Sequence, residues 1–217
     1  MIIIILQEER ELIIEYGKKL VASGLTTGTG GNISIYRPEE QLMAISPSGI
    51  EYDRIKPADV VVLDLDYNII DSDKLPSSEY SMHRIFYTRR EQVRAIVHTH
   101  SIYATTIAAL NWELPAVHYL IGFSGNKVPL ARYATFGTEE LANNAFEGMG
   151  NYNAVLLANH GLLAVGSDLH LAFNTAEEIE FTCQVYYRAK SIGDPVILPE
   201  QEMEIIIEKF KTYGQKK

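Results

Sequence analysis

Ala95-Ile96-Val97-His98-Thr99-His100 is an apolar run that ends in two histidines and is followed by Ser101 and a helical pattern. A run of this length feeding a helix reads as a buried β-strand. Side chains on a strand return to the same face every second residue, so His98 and His100 are expected to point the same way, with Cα atoms about 6.6 Å apart. Two imidazoles at that spacing can share one metal ion, and a catalytic zinc site typically takes three protein ligands plus one open position. On its own, a His-x-His is equally compatible with polar residues filling a cleft.

Two further stretches supply donors. Residues 153–158 (NAVLLA) form a second apolar strand pattern that stops at Asn159-His160-Gly161, where the glycine is expected to let the backbone turn sharply and leave an imidazole at a strand end. Pro76-Ser77-Ser78-Glu79 opens a helical pattern, with Ser78 the expected N-cap and Glu79 in the first turn, at the positive end of the helix dipole. A carboxylate there can ligate a metal or act as a base. With three nitrogens and one oxygen available, a metal site outweighs a plain polar cleft, and His83, His118 and His170 are left with structural or solvated roles.

The chain has 217 residues, enough for one substantial core that buries roughly 70% of the unfolded surface, so a single domain over 1–217 is expected. A content of 47% hydrophobic and 22% charged residues excludes a disordered or low-complexity chain. The formal charge of -9 argues against nucleic acid or an anionic membrane as partner, because both select a basic footprint. A small anionic substrate stays compatible, since a metal ion and backbone N–H groups can make a local positive site. The one cysteine, Cys183, cannot build a disulfide framework and points to a reducing, cytoplasmic compartment. Met1-Ile2-Ile3-Ile4-Ile5-Leu6 lacks a preceding basic stretch and runs into Gln7-Glu8-Glu9; it reads as an extra strand, a packed arm or a frayed end, too short for a signal peptide or a membrane span.

Leu12, Tyr16 and Leu20 share a helical row, with Gly24 at the cap, which predicts a helix over 8–23. The glycine-rich loop at 26–32 lacks the Gly-Lys-Ser/Thr ending of a P-loop, and Ile33 stands where a dinucleotide fingerprint has its last glycine. A plain turn or an anion-binding nest remains. Strands are expected at 33–36, 42–45, 60–65, 69–70, 95–100 and 128–133, with two segments inside 154–165; helices are expected at 78–89, 103–110, 138–146, 168–189 and 200–210. Because the order lacks a strict βαβ rhythm, the fold class is α/β in the α+β sense, a central, largely antiparallel or mixed sheet covered by helices on both sides.

Thr29-Gly30-Gly31-Asn32, Ser46-Pro47-Ser48-Gly49, Pro76-Ser77-Ser78-Glu79, His98-Thr99-His100 and Asn159-His160-Gly161 resemble, in order and spacing along almost the whole chain, the zinc-dependent class II aldolase and epimerase family, whose fold the adducin head shares. His118-Tyr119, Tyr133-Ala134-Thr135-Phe136-Gly137-Thr138 and the ending Glu208-Lys209-Phe210-Lys211-Thr212-Tyr213-Gly214 look most like the branch that cleaves L-fuculose 1-phosphate. The resemblance implies one Zn2+ per subunit on His98, His100 and His160, with Glu79 as fourth ligand or released base. It implies a substrate phosphate pocket at Gly31, Asn32, Ser48, Gly49, Ser77 and Ser78, Ser48 keeping the hydroxyl of a family threonine. It also implies a cyclic homotetramer with sites between subunits, where Tyr119, Phe136 and Tyr213 serve the aldehyde side; residues 120–127 depart from the family pattern.

The implied chemistry is metal-dependent, reversible cleavage of the C3–C4 bond of a ketose 1-phosphate, giving dihydroxyacetone phosphate and, from L-fuculose 1-phosphate, L-lactaldehyde. Zn2+ stabilises the enediolate charge, and Glu79 moves the C3 proton, a step to which a positioned base contributes about 10²–10⁴-fold. With no arginine or lysine in the phosphate loops, amides, hydroxyls and a helix start must hold the dianion. The branch that epimerises L-ribulose 5-phosphate carries aspartate in place of Glu79 and a catalytic aspartate where this chain has His118-Tyr119-Leu120, so both differences favour aldol cleavage. L-Rhamnulose 1-phosphate is an alternative substrate. A zinc hydrolase fits the ligand count but has no need of a phosphate pocket. A non-catalytic, adducin-like role is opposed by the presence of all four metal-site residues.

Overall fold

The computed structural model describes residues 5–212. Its strands are β1 (Asn32–Arg37), β2 (Leu42–Ile45), β3 (Val61–Asp64), β4 (Ile69–Asp71), β5 (Ala95–Thr99), β6 (Leu130–Ala131), β7 (Ala154–Leu157) and β8 (Gly161–Gly166). They form one eight-stranded sheet in the order β4-β3-β2-β1-β5-β8-β7-β6. Every pairing is antiparallel except that of β6 with β7, so the sheet is mixed, with the histidine strand β5 near its middle between β1 and β8.

The strand period of two divides the apolar residues between two faces. Ile33, Ile35, Val62, Val97, Leu162 and Ala164 pack beneath α1 (Gln7–Ala22), α3 (Ile102–Ala109), α5 (Leu169–Ile192) and α6 (Glu200–Phe210). Met43, Ile45, Leu63, Ile96, Leu163 and Val165 pack on the other side beneath α2 (Tyr80–Arg89) and α4 (Glu139–Met149). Helices therefore cover both faces of a single-domain sheet, as expected. No helix among the described residues is long and apolar enough to cross a membrane.

The differences from the sequence reading have local causes. The strand expected at 128–133 shrinks to Leu130–Ala131, because Pro129 has no N–H to donate and Val128 pairs with Leu114 in an isolated bridge instead. Helix α2 begins at Tyr80, so Glu79 is its N-cap and Ser78 lies outside it. β5 ends at Thr99, which leaves His100 just past the strand. Tyr119–Phe123 forms a short 3-10 turn that the periodicity did not mark. Of the apolar arm at 1–6, residues 1–4 lie outside the described residues, while Ile5 and Leu6 pack on the core and the Ile5 carbonyl accepts from Arg10 Nε at 2.7 Å.

At the β7–β8 turn the left-handed residue is Asn159 (φ 55°), a type that tolerates that region. Gly161 has a different task from the one its sequence context suggested. A Cβ on it would stand 2.1 Å from the Thr99 carbonyl oxygen, so only glycine lets β8 approach the end of β5 and bring His160 beside His98 and His100. Gly161→Ala should therefore lower stability by about 1–3 kcal/mol or more through overpacking. Urea denaturation checks this, and a wild-type midpoint with an unchanged slope would contradict it.

Candidate metal centre and active site

His98 is fully buried at the end of β5, and its Nδ1 donates to the Leu162 carbonyl at 2.9 Å. A carbonyl can only accept, so the ring is the Nδ1–H tautomer and its Nε2 lone pair is free to face a metal. That Nε2 lies 3.0 Å from His100 Nε2 and 3.3 Å from Glu79 Oε2, and His160 Nε2 lies 3.4 Å from Glu79 Oε1. One donor atom from each of these four residues falls within 4.8 Å of the others. Burial lowers the pKa of all three imidazoles, that of His98 well below 6.5 with His160 and His100 adding to it; Glu79 partly opposes the shift at His100 and His160. Neutral imidazole is the form that ligates metal.

Glu79 is 6% exposed. Its Oε2 accepts from Asn32 Nδ2 at 2.9 Å, and its backbone N–H donates to Ser77 Oγ at 3.3 Å. Its Oε1 is buried and has no hydrogen-bond partner among the described residues. A bare carboxylate oxygen in the interior is unfavourable, and three imidazole lone pairs converging on it would add to the repulsion. A divalent cation between them resolves both, so the donor set fits a metal ion of the zinc class.

The donors open onto a cavity of about 480 Å³. All six expected phosphate-site residues line it, together with Glu79, His100, His160 and Phe136, while His98 sits beneath. The glycine loop is packed against the histidine strand: a Cβ on Gly31 (φ 67°) would lie 2.7 Å from the His98 carbonyl oxygen. Ser48 N–H donates to the Leu75 carbonyl at 3.0 Å and Ser77 N–H to the Ser46 carbonyl at 3.1 Å, which ties the 46–49 turn to the segment leading into α2. Asn32 holds Glu79 through its amide nitrogen and meets His83 through its amide oxygen, so its side chain faces the carboxylate and not the cavity mouth. Among the described residues the lining has no lysine or arginine, and Glu79 is its one charged side chain.

Tyr119 is not brought into this cavity. It is half-exposed on the 3-10 turn, with ring contacts to His118 and Phe210. Tyr213 lies outside the described residues. The sequence reading missed Tyr133, Ala134 and Asn159 as cavity walls and gave His83 no place near the site. For His83 a signal existed, because it stands four residues after Glu79 and so shares its helix face.

Residues 11–187 match the family model described as Class II Aldolase and Adducin N-terminal domain. A 5-deoxy-D-ribulose 1-phosphate aldolase of Bacillus thuringiensis serovar kurstaki is 59% identical over 97% of this chain and 99% of its own length. The L-fuculose phosphate aldolase of Escherichia coli K12 is 38% identical over 93% and 94%. A solved structure of an L-fuculose 1-phosphate aldolase superposes with a TM-score of 0.92 at 50% identity, covering 94% of this chain and 96% of the other. Class II aldolases use Zn2+, which the quartet of Glu79, His98, His100 and His160 fits. In fold, in donor set and along nearly its whole length, the chain belongs to the class II aldolases.

Proposed function

We propose that the protein cleaves, reversibly, the C3–C4 bond of a ketose 1-phosphate whose aldehyde half is short and methyl-terminated, with 5-deoxy-D-ribulose 1-phosphate preferred. The products are dihydroxyacetone phosphate and acetaldehyde. The observation that carries this reading is the cavity itself, with a four-donor metal site on one side, small hydrogen-bonding loops on another, and Tyr133, Ala134 and Phe136 as an apolar wall. Acetaldehyde offers a methyl group and no hydroxyl, which suits such a wall, and the relative at 59% identity is named for this substrate. L-Fuculose 1-phosphate, which adds one hydroxyl-bearing carbon to the aldehyde half, is the second reading, supported by the 50% identical structure of that name.

In this reading His98, His100, His160 and Glu79 hold the ion. Zn2+ bound there supplies Lewis-acid stabilisation of the negative charge left on the dihydroxyacetone phosphate half. Glu79 is the base that takes the C3 proton in the synthetic direction. Gly31, Ser48, Gly49, Ser77 and Ser78 bind the phosphate with hydroxyls and free amides, helped by the start of α2, and Asn32 contributes its main chain. Phe136 contacts the aldehyde half. Tyr119 and Tyr213 serve the site of a neighbouring subunit in a homotetramer, a role supported for Tyr119 by its exposed position away from its own cavity. The reading treats 1–217 as one such domain and places it in the cytoplasm, in keeping with the single, buried Cys183 thiol.

Glu79→Gln should keep the fold and lose C3 proton exchange by about 10²–10⁴-fold, because an amide cannot accept the proton. Solvent deuterium uptake by dihydroxyacetone phosphate, followed by NMR, measures it, and wild-type exchange would remove Glu79 from the base role. Among 5-deoxy-D-ribulose 1-phosphate, L-fuculose 1-phosphate, L-rhamnulose 1-phosphate and L-ribulose 5-phosphate, kcat/KM should be highest for the first. Preference for L-fuculose 1-phosphate would select the second reading, and epimerisation of L-ribulose 5-phosphate without cleavage would reject both.

A further inference from the structure

From Glu79 and Asn32, which line the cavity, a single hydrogen-bonded file of five side chains runs back into the interior. Asn32 Nδ2 donates to Glu79 Oε2 at 2.9 Å, and Asn32 Oδ1 lies 2.5 Å from His83 Nε2. His83 Nδ1 lies 2.6 Å from Ser34 Oγ, which in turn lies 2.6 Å from Tyr87 OH. The file is dictated by two periodicities. Glu79, His83 and Tyr87 recur every fourth residue along α2 and its N-cap, and Asn32 and Ser34 are alternate residues of β1, so one helix stripe meets one strand face. His83 and Ser34 are fully buried, which leaves water no access to reverse the order of their protons.

The carboxylate selects that order. Glu79 Oε2 can only accept, so Asn32 must present its NH2 to it and its carbonyl to His83. His83 must then carry its proton on Nε2, Ser34 must donate to Nδ1, and Tyr87 must donate to Ser34. The reversed file would set the Asn32 carbonyl against the carboxylate. Burial, aided by His98, holds the His83 pKa down at about 3, so the ring is neutral and only one of its nitrogens bears a proton.

We propose that His83, fixed as the Nε2–H tautomer by Ser34 and Tyr87, is a positioning residue for Glu79. It locks the Asn32 amide, which holds Glu79 Oε2 beside His98 Nε2 and leaves Oε1, which has no hydrogen-bond partner among the described residues, turned toward His160. Without that lock Asn32 can turn its carbonyl to the carboxylate and drive it out of place. The proposal rests on Glu79 being the ligand and base described above.

Long-range ¹H–¹⁵N NMR of imidazole-labelled, metal-free protein reads the tautomer directly, and His83 should show Nε2–H and an unprotonated Nδ1. His83→Leu should lower both Zn2+ affinity, measured by chelator competition, and kcat for C3 exchange by about 10–100-fold, with KM for dihydroxyacetone phosphate nearly unchanged. His83→Gln, whose amide can still donate to Asn32 Oδ1, should recover most of that loss. Should His83→Leu fail to fold, Ser34→Ala keeps the ring and removes its Nδ1 donor, and should lower kcat in the same sense. An Nδ1–H or doubly protonated ring in the wild type, wild-type exchange and affinity in a folded His83→Leu (or, should that variant not fold, in Ser34→Ala), or a loss that His83→Gln does not repair would each overturn the proposal. Wild-type exchange in Glu79→Gln would instead remove the base reading on which it rests. Loss there with full exchange in His83→Leu would overturn the positioning role alone.

Discussion

Burying a carboxylate among three neutral imidazoles, with one carboxylate oxygen left bare, is unfavourable for a chain that has only its own atoms to place there. Much of the surrounding structure serves to hold that arrangement. The Leu162 carbonyl fixes the His98 ring, Gly161 lets β8 close on β5, the glycine loop packs on the His98 carbonyl, and Asn32 restrains one oxygen of Glu79. These four restraints come from two parts of the chain, residues 31–32 and residues 161–162. The central position of β5 in the sheet is what brings them within reach of one point, since β1 and β8 flank it directly.

The same arrangement accounts for the division of labour in the cavity. The apolar core on both sheet faces fixes β1, β5 and β8 as a base, while the side proposed for the phosphate is built from loops of small residues whose main chain is tied across by the Ser48 and Ser77 amides. Loops of this kind offer an anion dipoles and hydroxyls in place of a fixed cation, in keeping with a chain that is acidic overall. The side proposed for the aldehyde is different in character. Phe136 and Tyr133 stand largely exposed at the rim, and Tyr119 stands away from the cavity altogether, so this wall is open to solvent.

Much of this was legible in the sequence because it depends on short periodicities. The alternation that puts His98 on one strand face also predicted its convergence with His100, and the stop at Asn159-His160-Gly161 marked the third imidazole. Less was legible where the reason is tertiary. The need for Gly161 arises from the Thr99 carbonyl, which no local pattern displays, and the chain turns at Asn159 instead. The strand expected at 128–133 was cut short by Pro129 and by a bridge to distant Leu114. His83 looked like a bland core histidine because its partners, Asn32 and Ser34, come from a strand some fifty residues earlier, joined to it by contacts at sequence separations of 51 and 49.

The central claim is that Glu79, His98, His100 and His160 together form one metal site. Zinc K-edge X-ray absorption on protein loaded with a single equivalent of Zn2+ tests it most directly, with His100→Ala as the comparison. Three imidazole nitrogens and carboxylate oxygen should surround the ion in the wild type, and one imidazole fewer in the variant. An ion with fewer than three imidazoles, or a spectrum unchanged by His100→Ala, would contradict it.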